Sequence, residues 1–158
     1  MSDAPEVLCL SETWLDQSVK EVPIEDYVCV ARRDRVVGKC GGVAIYAHRR
    51  VAQQVTNLGD SKTAERHWVV LHTEQGPLLL GNSYRPPGED LSTIQSLEEE
   101  WSHYSDTALR RILVGDLNVH QVSLAAPFAT RYARREDLEG TNRGFWIEAT
   151  GAGTYTRG

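Results

Sequence analysis

Arg111-Ile-Leu-Val-Gly-Asp-Leu-Asn-Val-His120 is the stretch on which the fold turns. The apolar run Ile112 to Val114 predicts a buried strand, and Gly115 punctuates its end. Three polar side chains then alternate: Asp116, Asn118 and His120. A strand that delivers a carboxylate, an amide and an imidazole to its tip predicts part of a hydrolytic site, since such groups orient water and hold developing charge.

Other strands flank it. Val7 to Leu10 is a short apolar run followed by Ser11-Glu-Thr13, and Tyr27 to Ala31 is β-prone. The glycines of Cys40-Gly-Gly-Val-Ala-Ile-Tyr-Ala47 mark a turn before another buried strand. Trp68 to His72 and Leu78 to Ser83 are joined by Glu74-Gln-Gly-Pro77, a hairpin signal. From Leu91 the period changes: Leu91, Ile94, Leu97, Trp101 and Tyr104 are spaced 3, 3, 4 and 3, one face of a helix that Asp90 or Ser92 caps. Glu98, Glu99 and Glu100 are expected in solvent, as are the charges of Glu65-Arg-His-Trp68. Thr141-Asn-Arg-Gly144 is read as opening a short helix through Phe145, Ile147 and Glu148, with a further strand from Thr154. Strands with few, spaced helices predict an α+β domain built on a two-sheet sandwich flanked by helices, rather than regular βαβ alternation.

With 158 residues the chain has room for one domain with a real core, and 41 % hydrophobic and 25 % charged residues are ordinary for a soluble globular protein. A net charge of −5 argues against broad, basic contact with a phosphate backbone, but not against an enzyme that grips a few phosphates through a metal. The local arginine groups (Arg32, Arg33 and Arg35 among them) are expected to be solvated loop charge. The three cysteines form no C-x-x-C pair. They are expected as thiols, Cys9 and Cys29 buried, which favours a reducing intracellular compartment and gives no support for zinc. No apolar stretch reaches the roughly 18 residues of a membrane span, and the start lacks the basic and apolar regions of a signal peptide.

Three strand ends therefore carry chemistry: Glu12, Tyr84, and Asp116 with Asn118. A hard cation such as Mg²⁺ prefers carboxylate oxygens and keeps positions for water and phosphate. It polarises the phosphoryl oxygen and stabilises the leaving alkoxide. A second carboxylate orients the attacking water, while Asn and Tyr hold developing charge.

Leu8-Cys-Leu-Ser-Glu-Thr-Trp-Leu15, Gly41-Gly-Val-Ala-Ile-Tyr46, Asn82-Ser-Tyr-Arg-Pro-Pro-Gly88, Gly115-Asp-Leu-Asn-Val-His120 and Asn142-Arg-Gly144 occur in that order. Together they resemble the endonuclease/exonuclease/phosphatase superfamily, the DNase I-like fold, and most of all the endonuclease domain of non-LTR retrotransposons. The resemblance spans nearly the whole chain. It implies a metal-dependent phosphodiesterase, a DNA endonuclease, using Mg²⁺ or Mn²⁺. By matching position, Glu12 resembles the metal-binding glutamate and Tyr84 the tyrosine on the scissile phosphate. Asp116 resembles the aspartate that positions the water, and Asn118 its transition-state partner. His120 matches a histidine of the retrotransposon branch and is given a minor role. Arg85 is placed within reach of a phosphate, though surface exposure is the simpler expectation.

The sequence also departs from that pattern. Only six residues precede Val7, where the family has a further strand bearing an asparagine, and no Ser-Asp-His occurs. Residues 1–158 are therefore expected to form a partial domain, incomplete at its N- and C-terminal strands, with weak or no activity as a fragment. The same fold also serves phosphatases and phosphodiesterases acting on lipid or RNA. A non-catalytic remnant binding a partner through open sheet edges is the third expectation.

Overall fold

The computed structural model describes residues 4–36, 40–89, 92–104, 106–108 and 110–118, and a strand at 145–150. Its architecture is α+β and dominated by sheet. The strands are β1 (Val7–Ser11), β2 (Tyr27–Arg33), β3 (Val43–His48), β4 (Val55–Asp60), β5 (Glu65–Thr73), β6 (Gly76–Tyr84), β7 (Arg110–Asp116) and β8 (Phe145–Thr150). A 3₁₀ turn at Ala52–Gln54 precedes β4, and the α-helix among the described residues is α1 (Ser92–His103). A three-stranded sheet has the order β1-β3-β2, and a five-stranded sheet the order β4-β5-β6-β7-β8.

Side-chain alternation explains why two sheets form. On β5, Val69 and Leu71 face the three-stranded sheet, meeting Ala31 and Ile45 in one cluster and Ala47 and Val51 in another. Trp68 and Val70 point the other way, onto α1, packing with Leu79, Leu97 and Leu113. Side chains of this size each contribute roughly 1.5–3 kcal/mol when fully buried. Trp68 lies over Gly81, where a Cβ would collide with its ring. Tyr104 and Trp101 pack against the same indole, with ring centroids 5.7 and 6.1 Å away.

The β5–β6 hairpin pairs Thr73 with Gly76, as the Glu74-Gln-Gly-Pro77 signal predicts. α1 lies in the crossover between β6 and β7, which run parallel, so both strands end on the same side of the molecule. Asn82 joins the two sheets. Its buried side-chain amide donates to the carbonyls of Leu10 on β1 (2.9 Å) and Ala44 on β3 (3.0 Å).

Several expectations are corrected. Phe145–Thr150 is a strand antiparallel to β7, not a helix. Its β-branched and aromatic residues suit pairing with the open side of β7, and a ladder outweighs a short helical period. β4 has no sequence signal of its own: Val-Thr-Asn-Leu-Gly-Asp is polar and shifts register between Asn57 and Gly59. Its strand form comes from pairing with β5. Asp90, Leu91, the segment 119–144 and residues beyond 150, which include His120, Asn142-Arg-Gly144 and Thr154, lie outside the described residues. Within the described residues no helix is long and apolar enough to cross a membrane.

Candidate active site

The candidate residues gather at one end of the sandwich because of strand direction. β1, β6 and β7 each deliver their C-terminal end there, and β5, antiparallel to β6, delivers its start. Glu65 pairs with Tyr84, and Tyr84 with Asp116, so three adjacent strands present one cross-strand row on the face toward β1 and β3. Gly115 makes the last step possible. Its φ is +130°, and a Cβ there would run into the Ser83 carbonyl oxygen.

Tyr84 is 4 % exposed, and the carboxylate near its phenol is that of Glu12, which is itself exposed. Burial first, then the nearby Glu12 carboxylate, push the phenol above its ordinary range, so it stays protonated. Asp116 Oδ1 accepts the backbone N–H of Asn118 at 3.0 Å. This closes a turn in which Asn118 takes a left-handed φ of 45°, which Asx residues tolerate. The Asn118 amide nitrogen donates to the Arg85 carbonyl at 2.8 Å, leaving a second N–H on that nitrogen. Glu12, Tyr84, Asp116 and Asn118 thus belong to one edge of the molecule, as expected from their strand ends.

Arg85 corrects the expectation of surface exposure. It is 7 % exposed, and its guanidinium donates to the carbonyls of Leu117, Asn118 and Glu89. It is a clamp on the Asp116–Asn118 turn rather than a surface residue. The Glu65-Arg-His triplet is likewise not solvent-facing: Arg66 is 1 % and His67 6 % exposed. Glu65 instead accepts from Arg35 Nε and from the Gly42 backbone N–H, both at 2.5 Å. Arg32 and Arg33, expected in a solvated loop, lie in β2 and are paired too, with Asp34 and Asp60. Glu100 leaves the solvated trio and binds Arg66, Ser61 and Trp68. Cys9, expected as a buried thiol, is a half-buried one whose pKa burial pushes up to about 12.

Sequence reasoning missed Glu65, Arg35 and Asn82 as parts of this end. The signal for Asn82 was present: it precedes Tyr84 by two residues in a strand and so shares its face. For Glu65 no local signal existed, since its partner Arg35 lies 30 residues away.

Among the described residues no three His, Cys, Asp or Glu side chains converge as a metal cage. The donor set that is present has another form: one exposed carboxylate, Glu12, beside a phenol and a second carboxylate on the adjacent row. That fits a hard cation held by one protein carboxylate and completed by water and a substrate phosphate. Comparison of the chain with protein-family models and with curated proteins finds no match.

Proposed function

We propose that this chain is a Mg²⁺-dependent phosphodiester hydrolase domain of the DNase I-like type, acting on DNA as an endonuclease. The observation that carries this is the Tyr84–Asp116 cross-strand row, with the exposed Glu12 carboxylate beside the Tyr84 phenol. In this reading the three are a cation ligand, a phenol donor and a water-orienting carboxylate.

Glu12 is the residue that holds the cation, which when bound polarises the phosphoryl oxygen and stabilises the leaving alkoxide. Asp116 keeps one oxygen on the Asn118 backbone, which fixes its rotamer, and has the other to orient a water. Asn118 has one side-chain N–H engaged and one to offer to a developing negative charge. Tyr84 has a single hydroxyl proton, kept on by burial, which it can offer to a phosphate oxygen. DNA ranks above lipid or RNA on the retrotransposon-like sequence around Glu12 and Gly41.

The test is nicking of supercoiled plasmid with Mg²⁺, run beside RNA and phosphoinositide head-group substrates. Metal-dependent nicking that disappears in Asp116→Ala is the expected result. Nicking that persists in Asp116→Ala, or Mg²⁺ affinity unchanged in Glu12→Ala, sinks the proposal. Release of phosphate from the head groups alone moves the substrate to lipid.

A further inference from the structure

Glu12 is held in a conformation that its own residue type does not favour. Its φ is 53° and that of Trp14 is 56°, both left-handed. Such backbone is costly for a residue other than glycine and persists only where its surroundings over-determine it. The surroundings are the turn before β3. Trp14 N–H donates to the Gly41 carbonyl at 2.9 Å, and Thr13 N–H to that of Gly42 at 3.3 Å. Gly41 and Gly42 are left-handed in turn, with φ of 101° and 86°. They leave no room for side chains: a Cβ on Gly41 would collide with Glu65 Oε2, and one on Gly42 would meet Thr13 Oγ1 at 2.6 Å.

The turn needs an anchor, and Glu65 supplies it. Its Oε2 accepts the Gly42 N–H and its Oε1 accepts Arg35 Nε, both at 2.5 Å. Glu65 also stands opposite Tyr84 on β6, and Tyr84 lies near Glu12. One carboxylate therefore reaches Glu12 from two sides, through the glycine turn and through the strand ladder. With both oxygens engaged, Glu65 is not itself a free ligand.

We infer that Glu65 is a positioning residue that sets the Glu12 carboxylate through the Gly41–Gly42 turn. This rests on the proposed role of Glu12 as the cation ligand. The experiment uses the full chain, with Mn²⁺ alone as the probe, and two readouts: Mn²⁺ affinity and amide hydrogen exchange at Thr13 and Trp14. Glu65→Ala is expected to weaken Mn²⁺ about tenfold, the scale of losing an outer support of a metal ligand. It should also speed exchange at Thr13 and Trp14 about tenfold while β5 and β6 amides stay protected. Glu65→Gln keeps an oxygen for the Gly42 N–H and is expected within about threefold of wild type, as a neutral bond replaces a charge-assisted one. If Glu65→Ala does not fold, Glu65→Met keeps the volume without an acceptor and takes its place. Unchanged exchange at Thr13 and Trp14 overturns the inference whatever the metal does. Equal Mn²⁺ losses in Ala and Gln variants overturn it as well, because charge rather than the Gly42 bond would then matter. Glu12→Ala that binds Mn²⁺ like wild type overturns the site assignment, a different failure from the first two.

Discussion

Glu65 and Arg66 are neighbours in sequence, and each is half of an arginine–glutamate pair, but the two pairs lie on opposite faces of β5. Arg66 meets Glu100 at 2.8 Å beneath α1, where Ser61, Trp68 and Ser96 complete the network. Arg35 meets Glu65 at 2.5 Å beside the glycine turn. The first pair is closed: Arg66 is 1 % exposed, and Glu100 takes donors from two strand residues and the loop between β4 and β5. It fastens the helix to the sheet. The second pair lies at the edge of the candidate site, and its carboxylate gives one oxygen to the glycine turn that pairs with Thr13 and Trp14, next to Glu12. The same two residue types thus hold a fold in one place and shape a site in the other. What differs is what the second acceptor oxygen serves.

The comparison breaks most sharply at Asp116. Asp116→Asn keeps an oxygen for the Asn118 N–H, so the melting temperature should hardly move, while hydrolysis falls about 10³-fold, within the range for loss of a general base. A large drop in stability would show that Asp116 belongs with the closed network. Glu100→Ala should do the reverse. It strands the buried Arg66 charge and removes the Trp68 acceptor, costing about 3 kcal/mol in urea denaturation, the scale for a broken buried pair. Specific activity of the folded fraction should be retained.

Asn82→Ala lies between the two regions. It removes both bonds that tie β6 to β1 and β3, for about 2 kcal/mol in the same denaturation assay. Tyr84→Phe comes next, with about tenfold slower hydrolysis and little change in stability, since only a hydroxyl is removed and the ring stays buried. The smallest signal is in acid. Burial raises the Glu100 carboxyl, but donors from Arg66, Ser61 and Trp68 outweigh it and hold the pKa below its ordinary value. Its contribution is therefore complete above the unfolded pKa of about 4.3 and is lost as pH falls through the lower folded value. Denaturation midpoints measured down that window should fall in the wild type and level off in Glu100→Ala.

The sheet strands with continuous apolar runs were legible because burial on both sides leaves no polar choice, as in Val43 to Ala47. The helix was legible from its period. β4 and β8 were not, because their form is decided by a neighbouring strand rather than by their own residues. The same holds in the site. Glu12, Tyr84, Asp116 and Asn118 announce themselves at strand ends, but Glu65 and Glu100 look like ordinary surface acids. Their partners, Arg35 and Arg66, stand 30 and 34 residues away and become visible only once the sheets are stacked.

The Asn82 bridge has a kinetic consequence. Its amide spans 72 residues of chain to reach Leu10, and Tyr84 reaches back to Glu12 over the same separation. Contacts of such long sequence separation form late, after the local hairpin and helix, because loop closure must be met before they reward it. A partly folded chain with β5, β6 and α1 in place would carry Tyr84 but lack Glu12 beside it. Competence of this end of the molecule therefore requires β1 and β3 to be docked onto the larger sheet.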